Sequence, residues 1–170
     1  MLVVFDADNT LRQSKSGERF INDPLDQKPT EGAIELVASI KRQGASIYIA
    51  TNQGGIEMGH KTLQNGIIEQ RQTLQLFPQI TAVCMADNYQ TSFFWYIDRQ
   101  GEQRVRGPIG IKARKPGSGM LLYLEEKLVL SVNDRPWMIG DSSDDEGAAD
   151  NAGWDYLHIS EAIAIGKIPD

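Results

Sequence analysis

Leu2-Val3-Val4-Phe5-Asp6-Ala7-Asp8-Asn9-Thr10-Leu11 begins as an apolar run and ends by presenting two carboxylates one residue apart. The apolar part reads as a buried strand. Two carboxylates side by side at a strand end repel each other unless a cation sits between them. In an acidic chain with one cysteine, the fitting cation is a hard metal such as Mg²⁺, which takes oxygen ligands. The competing reading is a strand end capped by solvated Asp in a turn, so the rest of the chain has to decide.

Working outward, strand and helix signals alternate. Thr30 reads as an N-cap, with Ala33, Ile34, Leu36, Val37 and Ile40 at helical spacing up to Gly44. Ser46 to Ala50 is a second buried strand ending in Thr51-Asn52-Gln53-Gly54-Gly55. A helix is expected from about Lys61 to Phe77, stopping at Pro78, then a third strand from Ile80 to Ala86. A helix over Gly117 to Leu128 precedes a fourth strand, Trp137-Met138-Ile139. Ser143-Asp144-Asp145-Glu146 fits a capping box, and Tyr156 to Ile159 a fifth strand. Alternation of this kind predicts an α/β fold, a Rossmann-like three-layer sandwich around a parallel sheet of about five strands. Ligands in such sheets bind beyond the carboxyl ends of the strands. Asp6 and Asp8, Thr51 and Asn52, and Asp141 all fall at those ends.

Two stretches lack an obvious place in that sheet. Arg12 to Lys28 is polar and reads as a loop or flap. Residues 88–112 carry Ser92 to Ile97, then Asp98-Arg99-Gln100-Gly101, then Glu102 to Arg106, the pattern of a β-hairpin. Its aromatic residues either pack beneath the hairpin or line a substrate entrance.

The chain has 170 residues, 41% hydrophobic and 24% charged, which suits one well-cored domain over 1–170. No run is long enough for a membrane span, and a strand starting at Met1 leaves no room for a leader peptide. Cys84 is the lone cysteine and sits in an apolar run, so it is expected to pack as a small hydrophobe in a reducing, cytoplasmic setting. A net charge of −6 argues against general nucleic-acid or membrane-surface binding. The charge is uneven: Arg99, Arg104, Arg106, Lys112, Arg114 and Lys115 face only Glu102, whereas Asp141, Asp144, Asp145, Glu146 and Asp150 face no base. These runs are either two solvated faces or the anion-binding and metal-binding halves of one site.

Asp6-x-Asp8-x-Thr10, Thr51-Asn52, Lys115 before Pro116, and Gly140-Asp141-Ser142-Ser143-Asp144-Asp145 come in an order that resembles the haloacid dehalogenase superfamily of phosphohydrolases, over roughly residues 1–153. The resemblance implies a phosphatase in which Asp6 attacks phosphorus and Asp8 serves as general acid and then base. It implies Mg²⁺ held by Asp6, the Asp8 main-chain carbonyl and Asp141, with Asp145 completing or orienting the shell. Thr51, helped by the Asn52 amide, is implied to hold the phosphoryl group, and Lys115 to pair with Asp6 and neutralise the transferred charge. Asp144 suits the helix dipole better than the metal, although two adjacent acids leave the choice with Asp145 open. His60, His158 and Cys84 are not needed, and no nucleotide-binding glycine loop is present.

Thr51-Asn52-Gln53 and Arg114-Lys115-Pro116-x-x-Gly119-Met120 narrow the resemblance to the capless branch that contains histidinol-phosphate, heptose-bisphosphate and polynucleotide 3'-phosphatases, with Arg114 as a further substrate-binding residue. No Cys or His lies between Asp87 and Lys115, so the zinc loop typical of the sugar and histidinol enzymes is not expected. Ser16-Gly17-Glu18-Arg19-Phe20 is similar to a stretch of the polynucleotide enzymes, against which the acidic balance counts. The reading favours a small phosphorylated metabolite, with a nucleic-acid end as the alternative, where Phe93, Phe94 or Trp95 stacks on bases. The oligomeric state is left open. Two other classes compete: a non-catalytic binder on the same fold, and a receiver domain, whose phosphorylated Asp lies after the third strand rather than the first.

Overall fold

The computed structural model describes residues 1–130 and 134–169; the expected span 1–170 also takes in 131–133 and 170, which lie outside them. β1 (Leu2–Phe5), β4 (Ser46–Asn52), β5 (Val83–Ala86), β8 (Trp137–Gly140) and β9 (Asp155–His158) are parallel neighbours in the order β5-β4-β1-β8-β9. A short antiparallel pair, β2 (Arg12–Gln13) with β3 (Lys28–Pro29), stands after β1 as a flap. The helices are α1 (Ala33–Arg42), α2 (Leu63–Leu76), α3 (Gly119–Leu128), α4 (Ser143–Ala152) and α5 (Ile159–Ile165). None is long and apolar enough to cross a membrane.

Both faces of β1 are covered, which is why its sequence is continuously apolar rather than alternating. Val3 and Phe5 join the cluster under α1, α2 and α5; Leu2 and Val4 join the one under α3 and α4. The chain runs from β1 outward to β4 and β5, then returns past β1 to β8. The order therefore reverses at β1, the switch point where such sheets open a crevice.

The structure corrects several expectations. The sheet has seven strands, not about five, because the hairpin β6 (Phe93–Ile97) and β7 (Glu102–Arg106) is part of it: β6 pairs antiparallel with β5. An unpaired β5 edge would leave a row of backbone groups without partners, and β6 supplies them. Thr30 does not cap α1. The N-cap is Gly32 at φ 76°, and the Thr30 hydroxyl donates instead to the Thr10 carbonyl at 2.6 Å. The capping box starts one residue early, on Ser142 with Asp145 rather than on Ser143. α3 begins at Gly119, since the preceding loop turns back on itself, the Gly117 amide bonding the Arg114 carbonyl and the Gly119 amide that of Lys112.

The hairpin's aromatic residues divide by the two-residue period of a strand. Phe94 and Tyr96 are buried and meet Tyr123 edge-on at 5.2 and 6.1 Å between centroids. Phe93 and Trp95 lie on the opposite face, and Phe93 is exposed. Cys84 is fully buried, and burial pushes its thiol up, so it packs as a hydrophobe.

Candidate active site

β1 ends at Phe5, and its hydrogen-bond ladder continues through the Asp6 amide to the Ile139 carbonyl at 2.8 Å. That bond brings the Asp6 carboxylate to the end of β8, next to Asp141. Lys115, from the loop before α3, reaches between two carboxylates: its Nζ donates to Asp6 Oδ1 at 2.6 Å and to Asp145 Oδ1 at 2.5 Å. All three side chains are largely or wholly buried. An ammonium bridging two buried carboxylates leaves the trio one negative charge in excess, which the low local dielectric magnifies.

The electrostatics follow from that excess. Burial pushes the Asp6 carboxyl up to about 7; Lys115 opposes the shift, while Asp145 and Asp8 add to it. Burial disfavours the Lys115 ammonium, yet Asp6 and Asp145 outweigh it and raise its affinity for the proton. Asp141 is raised by burial and by Asp145. A divalent cation on these oxygens acts in the opposite sense, favouring the ionised carboxylates.

The start of α4 sets the two adjacent acids apart. Asp145 is its third residue and is buried beside Asp6 and Asp141, while Asp144 is half-buried and outside that group. Asp145 Oδ2 takes the Ser142 amide at 3.1 Å and the Ser142 hydroxyl at 2.7 Å. Gly140 allows this, because a Cβ there would collide with the Asp145 carboxyl group. Asp6, Asp141 and Asp145 each offer an oxygen within 4.8 Å of the others. Asp145 is anchored at both oxygens, whereas Asp6 Oδ2 and Asp141 Oδ1 share the Thr10 hydroxyl, at 3.4 Å from each.

Asp8 stands apart from this cluster. Arg12 Nε donates to its Oδ1 at 3.0 Å and Gln53 Nε2 to its Oδ2 at 2.9 Å. Burial pushes its carboxyl up, but Arg12, Gln53 and Lys61 together hold it below the ordinary carboxylate range. Asp8 is therefore ionised near neutrality. Thr51 is buried and takes a hydrogen bond from Gln53 Nε2 at 3.2 Å. The Asn52 amide is engaged with the main chain of Lys115, giving its Nδ2 to the carbonyl and receiving the amide, both at 2.9 Å. Asn52 thus positions the lysine loop.

Arg114 lies against Tyr89 with 4.0 Å from guanidinium carbon to ring centroid. Its buried Nη1 has no hydrogen-bond partner among the described residues. Gly54 leaves the space for both, since a Cβ there would press on the Tyr89 hydroxyl and Arg114 Nη1. The remaining bases separate by use. Arg99 donates to the carbonyls of Leu74, Phe77, Pro78 and Ile80, closing the end of α2, and is spent on structure. Arg104 contacts Asp87 at 3.4 Å and lies over Phe93 and Trp95, and Arg106 also lies over Phe93.

Arg12, Lys61 and Glu69 carry no mark of a site residue in the sequence, and Gln53 is marked there only as part of Thr51-Asn52-Gln53. Arg12 lies in what reads as a polar flap, yet it is completely buried. The one available signal was Gln53, directly after Thr51-Asn52.

A mostly parallel sheet whose switch-point strand presents Asp6 and Asp8, with a lysine-bridged acidic cluster beside them and, among the described residues, no cap over the rim, defines a capless phosphatase of the haloacid dehalogenase type. Residues 1–158 match the family model described as polynucleotide kinase 3 phosphatase, and the chain belongs to that family. Among curated proteins it is similar to D-glycero-beta-D-manno-heptose-1,7-bisphosphate 7-phosphatase of Neisseria meningitidis, at 22% identity over 152 residues, 89% of this chain and 73% of that protein. The enzyme of the same description from Pseudomonas putida is 24% identical over 149 residues, 87% of this chain and 75% of that protein. Among solved structures, the D,D-heptose 1,7-bisphosphate phosphatase of B. bronchiseptica, complexed with magnesium and phosphate, shares the fold. It superposes with a TM-score of 0.67 at 19% identity, covering 99% of this chain and 88% of that one.

Proposed function

We propose that this phosphatase hydrolyses a phosphomonoester of a small sugar bisphosphate, with Mg²⁺ bound and through an aspartyl-phosphate on Asp6. The observation that carries the reading is the Lys115 bridge, which takes up Oδ1 of the buried carboxylate just past β1 and leaves Oδ2 to the Thr10 hydroxyl at 3.4 Å. The named relatives act on heptose 1,7-bisphosphate, and their similarity spans most of this chain.

In this reading Asp6 Oδ2 attacks phosphorus, and the bond to the leaving oxygen breaks. Thr51 donates to a phosphoryl oxygen, and Lys115 balances the transferred charge. Asp8, ionised in the resting site, takes a proton from the water that releases phosphate and, once it carries that proton, gives it to a leaving oxygen. Asp6, Asp141 and the Asp8 carbonyl would hold Mg²⁺, whose hard oxygen-ligand preference they match; Asp145, committed at both oxygens, would orient Lys115 and the Asp141 turn. Held by these residues, Mg²⁺ would supply neutralisation of the phosphoryl oxygens' charge. Arg114, one residue from Lys115 and with a guanidinium nitrogen that has no hydrogen-bond partner among the described residues, would take the second phosphate of the substrate.

Metal affinity tests the ligand assignment. Asp141→Asn should weaken Mg²⁺ binding roughly tenfold or more, the scale on which even outer partners of metal sites act. Asp8→Asn should change it little, since its ligand is the carbonyl. Equal losses by titration calorimetry would remove that assignment.

A second reading, hydrolysis at a 3'-phosphorylated nucleic-acid end, is favoured by the Arg104 and Arg106 guanidiniums lying over Phe93 and Trp95. Bases stack on such surfaces. From β1 to β7 is four strand spacings, about 19 Å. That span is long for a sugar bisphosphate and within reach of a nucleotide chain. The deciding experiment is Mg²⁺-dependent phosphate release from sugar bisphosphates, histidinol phosphate, nucleotides and a 3'-phosphorylated oligonucleotide, with Asp6→Asn as control. Preference for a sugar bisphosphate supports the first reading. Preference for the oligonucleotide replaces it with the second.

A further inference from the structure

The two hydrogen bonds on Asp8 are part of a closed circuit of side chains. Arg12, which holds Asp8 Oδ1, also donates from Nη2 to Glu69 Oε1 at 2.5 Å. Glu69 Oε2 takes the ammonium of Lys61, and Lys61 Nζ donates again to Gln53 Oε1 at 3.2 Å. Gln53 returns to Asp8 through Nε2 at 2.9 Å. The ring thus runs Asp8, Arg12, Glu69, Lys61, Gln53 and back. It carries two acids and two bases, so its charge is balanced.

Burial within the ring is graded. The side chains of Arg12 and Glu69 are completely buried, and Lys61 is 12% exposed. Asp8 alone opens substantially to solvent, at 44% of its side chain. Arg12 is secured from behind, its Nη1 donating to the Glu69 carbonyl at 3.3 Å and to the Thr73 hydroxyl. Gln27 locks the same corner, donating to the Glu69 carbonyl at 3.0 Å and accepting from Thr73 at 2.8 Å.

Stability is a poor explanation for such an arrangement. Desolvating a buried ion pair often costs as much as the pair returns, and apolar replacements of similar volume are commonly as stable. What the ring does achieve is geometric. It grips one carboxylate at both oxygens, with donors from the flap and from the loop after β4, and backs them with Glu69 on α2 and Lys61 just before that helix. Gln53 also contacts Thr51, so the carboxylate is held in register with the residue that faces the phosphoryl group.

We propose that Arg12, Glu69, Lys61 and Gln53 are positioning residues that aim the Asp8 carboxylate at the water which releases phosphate from Asp6. This rests on the aspartyl-phosphate reading above. In the step concerned, the water oxygen bonds to phosphorus, the bond from phosphorus to Asp6 oxygen breaks, and the water proton passes to Asp8. Asp6 is regenerated as carboxylate, and Asp8 passes its proton to the leaving oxygen of the next substrate. A carboxylate misaimed by even 1 Å forfeits much of its catalytic effect.

The two half-reactions separate with p-nitrophenyl phosphate, whose leaving group needs no proton. The first step then proceeds without Asp8, while the second still requires it. Rapid mixing of this substrate with the full chain in Mg²⁺ reads a burst of nitrophenolate, set by the first step, and a linear phase set by the second. Glu69→Gln and Lys61→Met should slow the linear phase about 10- to 100-fold, the usual effect of removing an outer partner, and leave the burst rate within a few-fold of wild type. Lys61 lies at the edge of the ring, so that variant keeps the test open if Glu69→Gln does not fold. Asp8→Asn should show the same split, more strongly.

Burst and linear phases slowed together, or a linear phase unchanged in Lys61→Met, would overturn the positioning role. An Asp8→Asn variant with an undiminished linear phase would instead overturn Asp8 as the base, and with it the reading on which the proposal rests.

Discussion

Asp6→Asn is expected to abolish phosphate release, by on the order of 10⁴-fold or more, because a carboxamide cannot form the acyl phosphate and the other groups act through that bond. The same variant should be more stable than wild type in a chelator at alkaline pH. Burial raises the Asp6 carboxyl from 3.8 to about 7, so the folded protein disfavours its ionised form. The unfolded chain releases the proton at the lower value and the folded chain at the higher. Stability is therefore lost as pH rises from the first to the second, and the cost is constant above both. An uncharged amide escapes that cost, while Lys115 keeps its bond to Asp145. The stabilisation should vanish below the ordinary carboxylate range, and wild type should gain more from Mg²⁺ than the variant does. Thermal unfolding across pH, with and without Mg²⁺, checks all three. Turnover retained in Asp6→Asn would remove it as nucleophile.

Lys115→Met should be the most damaging single change to the fold among the site residues. The side chain is nearly isosteric along its stem, so the packing loss is small. The electrostatic loss is not, because Asp6 and Asp145 are left buried together with no cation between them. Breaking a buried pair by removing one partner typically costs about 3–5 kcal/mol. Denaturant unfolding in a chelator should show a loss of this order, with Mg²⁺ restoring part of it. Adding Asp145→Asn should cost less than the sum of the single changes, since the second removes a charge that the first stranded. Activity should fall by about 10²–10³, as when one preorganised group stabilising transition-state charge is deleted. Unchanged stability in Lys115→Met would mean that the bridge contributes nothing to the fold.

What was legible in sequence is what depends on short spacing. An apolar run ending in Asp-x-Asp reads as a buried strand delivering two carboxylates to one rim once the strand–helix alternation places Thr51, Lys115 and Asp141 near the same edge. The five parallel strands follow from that alternation. The hairpin was legible as a hairpin, but not as part of the sheet, because backbone pairing with β5 leaves no mark on side-chain patterning.

The distinctive parts of the site were closed by long-range contacts instead. Asn52 could be placed at a strand end, but not on the main chain of Lys115, 63 residues away. Arg12 read as a polar flap residue, since its partner Glu69 is 57 positions later on a helix whose pattern does not announce a buried acid. A buried charge is tolerated only where its counter-charge and hydrogen bonds are all in place. The sequence by itself therefore determined which groups reach the rim. Folding decided which of them are paired, which are spent on structure, and how the Asp8 carboxylate is held.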